Sequence, residues 1–343
     1  MFFVGYALIT KIKTLHANDL KKEDFEELLK KRSIYDVAVF LKKHPAYHDI
    51  LANESESSLN RSRLEGLIKR QKFNQMMKLV KFLHLNDQPF YAITLVKMEH
   101  EVILAVIRSF ISHDEYDVVE QIPYYFDQYS KIDFLALTKT KNIAQLVEVL
   151  SNTRYAALLQ PYVKVSNDMI RYYEFEALFE KDYYHYAFEQ IKAHYHGKVK
   201  KDLQDAFKAR IEMESIIKVY RLKKFYGIGD SDIKSILIPS TRISDKKIDE
   251  IIAIKNPEDI LKVIVASGIG PYINDKNEVY LEYYDDYMRF TIAQRFMYFS
   301  TKAPTVYLAY VFLSELEEQN LTHIIEGIRY QVSESEIRPM LVF

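Results

Sequence analysis

Residues 211–227, IEMESIIKVYRLKKFYG, set two carboxylates (Glu212, Glu214) ahead of three cations (Arg221, Lys223, Lys224). Acids and bases at this density are what general acid–base chemistry needs, if the fold brings them together. The same skeleton stands upstream in MEHEVILAVIRSF, 98–110, where Glu99, Glu101 and Arg108 repeat the spacing of Glu212, Glu214 and Arg221. A pattern that recurs along one chain points to architecture before catalysis. Acids early in a helix and bases late in it complement the helix dipole, so the expectation is charged, solvated helix ends. Glu101 and Arg108 lie seven residues apart, about 10.5 Å along a helix axis, too far for a pair within one helix.

Other chemistry-bearing residues are sparse. His44 and His48 in HPAYH have a metal-friendly spacing, but Pro45 forbids a regular helix through them. His194 and His196 fall on different helical faces, with no carboxylate at zinc-motif spacing. GIGD (227–230) and GIGP (268–271) lack the Lys-Ser/Thr of a phosphate-binding loop and are expected to cap helices instead. Asp285 and Asp286 are expected in an acidic, solvated run, and no Gly-x-Ser-x-Gly elbow occurs. The residues therefore assign no catalytic group, metal ligand, cofactor or small-molecule substrate, and partner-binding residues are left unassigned.

Composition narrows the class further. The 343 residues include no cysteine, which excludes disulfides and thiolate chemistry and fits a cytosolic protein. A net charge of −1 gives no overall basic field for nucleic acid, despite short runs such as KVKK at 198–201. No stretch is apolar enough for a membrane span, and the opening MFFVGYALITKIKTLH has its bases after the apolar run, unlike a secretory signal. Eight glycines and nine prolines are too few for the turns of an α/β or all-β fold. Apolar positions return every three or four residues, so the fold class is all-α. Long amphipathic helices are expected over 63–85, 168–195 and 279–300.

Three segments align as helix pairs: 24–41, 133–150 and 248–264. In each, a second helix starts at a favoured N-cap residue, Ser33, Asn142 or Asn256, with Asp36, Gln145 or Asp259 three residues later. Pro257 occupies the first helical position of the third. The caps are separated by 142 − 33 = 109 and 256 − 142 = 114 residues. Apolar positions correspond too: Phe25, Leu28, Val37 and Leu41 match Phe134, Leu137, Leu146 and Leu150, then Ile248, Ile251, Ile260 and Ile264. A long helix is expected to open each unit (5–16, 98–110, 211–226), with Lys13, Arg108 and Arg221 equivalent. A fourth, imperfect copy at 316–331 carries Glu326 in their place. The expected units are 1–98, 99–211 and 212–343.

Segment 214–264 carries a run of landmarks, Ile216, Arg221, Lys223, Lys224, Gly227, Ile233, Lys234, Ile238 and Pro239. Their order resembles that of the C-type subunit family of V-type ATPases, whose eukaryotic members are the d-type subunits. Segments 7–51, 60–83 and 319–342 also resemble that family, so the likeness covers nearly the whole chain. It implies three similar helical-bundle units in a funnel-like arrangement, and a non-catalytic central-rotor subunit. Such a protein is a socket peripheral to the cytoplasmic face of the membrane, joining the central-stalk subunits to the ion-carrying membrane rotor ring. It transmits torque for proton or sodium transport. Two rivals stand beside it: a free-standing helical-repeat adaptor, and a metal-dependent hydrolase built on His44, His48, His194 and His196.

Overall fold

The computed structural model describes residues 2–55, 59–82, 89–111, 129–238, 245–256, 259–260 and 282–343, and among these every regular element is helical. The chain forms two compact units, one of residues 1–91 and 190–343, the other of residues 92–189.

The first unit is organised on one long helix. We number the helices in chain order: α1 Phe2–Ala17, α2 Lys22–Leu28, α3 Ile34–Lys43, α4 His48–Leu51, α5 Arg61–Phe82, α6 Ile93–Ser109, α7 Phe134–Leu137 and α8 Ile143–Val149. There follow α9 Arg154–Leu159, α10 Tyr172–His194, α11 Gly197–Arg221, α12 Asp230–Ile236, α13 Asp245–Ile252, α14 Glu282–Phe299, α15 Ala303–Arg329 and α16 Glu334–Ile337. The first half of α15 reads APTVYLAYVFL, apolar all round, and Val306 to Phe312 are buried without a break. A helix of that kind must be surrounded. Around it pack α1, α5, α11 and α14. Its buried tyrosines find partners, since Tyr307 donates to the Tyr91 carbonyl at 2.8 Å and Tyr310 to Gln75 at 3.3 Å.

The second half of α15 receives the α2–α3–α4 segment. Phe25, Leu28, Val37, Leu41, Tyr47 and Leu51 form one apolar cluster with Leu321, Ile324 and Ile325. The C-terminal tail closes the cluster, pinned by Asn320, which donates to the Val342 carbonyl and accepts from its N–H. Gly327 permits this approach: a Cβ there would sit 2.3 Å from Ile337 Cδ1. Thus the fourth copy of the long-helix pattern supports the first helix pair.

The repeat seen in the sequence is physical. The Ser33 hydroxyl accepts from the Asp36 N–H and the Asn142 side chain accepts from the Gln145 N–H, at 3.1 and 3.0 Å. Phe25, Leu28, Val37 and Leu41 are buried, as are Phe134, Leu137, Leu146 and Leu150. In the third pair Ile251 and Ile260 are buried and Ile248 is half-buried, whereas Pro257 and Ile264 lie outside the described residues.

Several boundaries differ from expectation: the helix expected over 98–110 is seen as Ile93–Ser109, so Glu99 and Glu101 lie in its second and third turns. The helix expected over 211–226 begins at Gly197, because 197–211 contains no breaker and continues the apolar rhythm through Leu203, Ala206 and Phe207. It ends in one wide turn, Leu222–Tyr226, capped by Gly227 in the left-handed conformation (φ 59°), as its C-cap role requires. The helix expected from 168 starts at Tyr172 after a short 3-10 turn, Asn167–Met169. The helix expected over 63–85 is seen as Arg61–Phe82, and residues 83–88, 279–281 and 268–271 lie outside the described set.

Candidate functional site

Glu212 and Glu214 therefore stand in the middle of a helix, not at its start, and Glu212 is buried. Their equivalents show what such a carboxylate does. Glu99 accepts hydrogen bonds from the hydroxyls of Tyr155 and Ser130. Glu317, at the matching place in the fourth copy, accepts from the Tyr47 hydroxyl at 2.6 Å. Tyr47 and Tyr155 each follow their own helix pair, at the start of α4 and of α9. In both cases the phenol ties the pair to a long helix through one carboxylate.

The surroundings of the two ties differ. Glu317 is fully inside, and Lys72 from α5 reaches both it (2.7 Å) and Asp19 (3.2 Å). Burial alone depresses an ammonium pKa, but the two carboxylates outweigh it and Lys72 is held above its ordinary value. Burial lifts Glu317 above the usual carboxylate range against the pull of Lys72. For Asp19 burial acts upward as well, but Lys72 and His16 together bring it below that range. Around Glu99 the polar groups are more open: Asp182 pairs with His100 at 2.9 Å and with Arg154, which is 36% exposed. Burial lowers the His100 pKa despite the Asp182 carboxylate.

The remaining charges of the opening motif also form contacts. Arg221 pairs with Glu282 at 3.3 Å, Lys223 with Asp230 and the Ile254 carbonyl, and Lys224 lies over the Tyr220 ring. Arg108 donates to the Tyr172 hydroxyl and lies over its ring. Asp285 and Asp286 correct their reading as solvated acids. Both are buried and bind Arg289, which also reaches Glu315 on α15. An inward-facing i,i+3/i,i+4 cation is what the sequence reading missed; Arg289 follows Asp285 by four residues. Burial, with Glu214 nearby, pushes Asp285 up to about 6 against the attraction of Arg289.

The histidines are not brought together. His44 faces Asp24 at 3.7 Å, while His48 bonds the Lys42 carbonyl through Nδ1. His194 ends α10, His196 immediately precedes α11 without a side-chain capping bond, and both are exposed.

Among the described residues an open concavity in one unit has a counterpart at the equivalent place in the other. The first is lined by Glu27, Lys30, Lys31, Asp36, Val39 and Phe40. Adding 109 to each number gives Ala136, Lys139, Thr140, Gln145, Glu148 and Val149, all of which line the second. Arg32 and Lys43 make the first more basic, and Asp133 joins the acid side of the second. Shape has been kept between copies and charge has not, as expected of surfaces with different neighbours.

Among the described residues no helix is long and apolar enough to cross a membrane. A comparison with individual curated proteins returns no match. The sequence profile of the ATP synthase (C/AC39) subunit family matches residues 8–340, which is nearly the whole chain. This end-to-end match places the chain, with its repeated helix pairs, in the ATP synthase (C/AC39) subunit family of the V/A-type ATP synthases.

Proposed function

We propose that the chain is the non-catalytic coupling subunit of a rotary V/A-type ATPase, a socket between the central stalk and the membrane rotor ring. The observation that carries this reading is the match to the family over residues 8–340. The physical build supports it. A part that passes torque must resist shear, and close-packed interiors do so. In the first unit α15 is enclosed by four long helices and cross-linked by buried hydrogen bonds and ion pairs. On this reading the chain sits peripherally at the cytoplasmic face and meets the membrane sector through protein contacts. Division into three repeat units belongs to the same proposal; the caps at Ser33 and Asn142 support the repeat, while the cuts at residues 98 and 211 fall inside α6 and α11.

The test is reconstitution of the ATPase with and without this chain in sealed vesicles. Without it, the head is expected to hydrolyse ATP while ion transport is lost, and adding the purified chain restores transport. Transport that proceeds at full rate in its absence would overturn the proposal.

A further inference from the structure

One end of the first unit gathers cations and exposed aromatic rings. The helix registers place its parts. Phe207 packs on Phe312 and Arg210 pairs with Glu315, both at a separation of 105 residues, so α11 runs parallel to α15. That register sets Lys198 level with Ala303, the first residue of α15. A Cβ built on Gly5 would stand 3.9 Å from the Ala303 Cβ, which brings the start of α1 to the same end. The Ser300–Thr305 hydroxyl contact folds the last turn of α14 back onto α15 there. Phe90 meets Tyr195 edge-on and Tyr91 packs against Tyr307, which ties the 190–197 segment to the same place.

The two stretches that meet at this end, 190–201 and 294–306, hold Lys192, Lys198, Lys200, Lys201, Arg295 and Lys302 and not one Asp or Glu. Their net charge is +6, against −1 for the whole chain. The first stretch is bounded in the sequence by Glu189 and Asp202, so the acids begin where it ends. Helix α1 likewise contains no acid. Set among these cations are Tyr6, Tyr298 and Phe299, exposed by 60%, 68% and 83%. Large rings left this bare mark interaction surfaces when they cluster.

We infer that this basic, aromatic end of the first unit docks on a membrane surface bearing anionic lipid. Charge complementarity argues for it: lysine and arginine on long stems meet phosphates of a negative leaflet, while amphipathic rings sit at headgroup depth. An end that protrudes cations from several segments suits a laterally fluid array of anions. A protein partner would call for a groove and opposing charges to fix a register. The inference comes from this chain's own residues and does not rest on the rotary role.

The test is flotation of the purified full-length chain, alone, with vesicles of phosphatidylcholine or of phosphatidylcholine mixed with phosphatidylglycerol. Binding is expected only to the anionic vesicles, and screening by salt should weaken it on the order of tenfold. K198E/K201E/K302E should lower it by about tenfold or more. Y298S/F299S should lower it by about tenfold even at low salt. The control K30E/K43E, on the concavity of the α2–α3 pair, should float like the parent chain. No flotation, equal binding to both vesicle types, or the control falling with the end variants would overturn the inference. In the first case an acidic protein becomes the partner to seek.

Discussion

The Tyr47–Glu317 and Tyr155–Glu99 ties are the same device in two electrical settings. Each fastens a short helix pair to a long helix by a phenol donating to a carboxylate. In the first, burial is complete and a lysine is drawn in with a second acid, so the cluster holds two carboxylates against one ammonium. In the second the carboxylate is half-buried, and the nearby Arg154 keeps a third of its surface in water. A repeated fold element thus fixes the hydrogen bond but leaves charge balance to each copy. The buried version depends on every member; the open one can borrow water.

Removing the cation from each site should separate the two ties most widely. Lys72→Met leaves Glu317 and Asp19 unbalanced inside the unit and should lower unfolding stability by about 3–5 kcal/mol. Arg154→Met should cost about 1 kcal/mol or less, since water screens that group. Equal losses in denaturant titrations would mean that burial does not separate the sites.

Another buried carboxylate, Asp285, tests burial through pH. Its folded value of about 6 lies above the ordinary 3.8, so the folded state holds a proton that the unfolded chain has released. Its contribution is therefore most favourable below pH 4 and is lost as pH rises toward 6 and beyond. Against Asp285→Asn, the parent chain should lose about 2–3 kcal/mol of relative stability across that window. A constant difference between the two proteins from pH 4 to 7 would contradict the buried placement.

Uncharged members of the two ties should give smaller effects. Tyr47→Phe strips a donor from a buried acid and should cost about 1–3 kcal/mol, while Tyr155→Phe should cost about 1 kcal/mol. At the caps, where the two copies are alike, Ser33→Ala and Asn142→Ala should each cost about 1 kcal/mol. Thermal unfolding followed by circular dichroism would register all four. Unequal cap effects would show that the copies differ in their backbone frames as well as in their charges.

Much of this was legible in the sequence, and the misses have physical causes. Caps and apolar spacing are local signals, so the pairs at 24–41 and 133–150 could be aligned and their 109-residue offset found. Glu212 and Glu214 were misplaced at a helix start because His196 and Gly197, the true beginning, lie about fifteen residues earlier behind the lysines of 198–201. Asp285 and Asp286 resembled a solvated run because adjacent acids usually are one. Only the tertiary approach of Glu315 and the inward turn of Arg289 bury them. The tyrosine ties span 56 and 270 residues, and nothing local announces a contact of that range. The paired concavities follow from the repeat, but their differing charge depends on which side chains the fold brings to each rim.

The most direct test of the central claim, that this family member works as the coupling subunit of a rotary ATPase, is recovery of the tagged chain from native membranes with its partners weighed by mass spectrometry. Stalk, ring and catalytic subunits should arrive in fixed proportion to the chain. A chain that comes away alone, or with unrelated proteins in variable amounts, would contradict it.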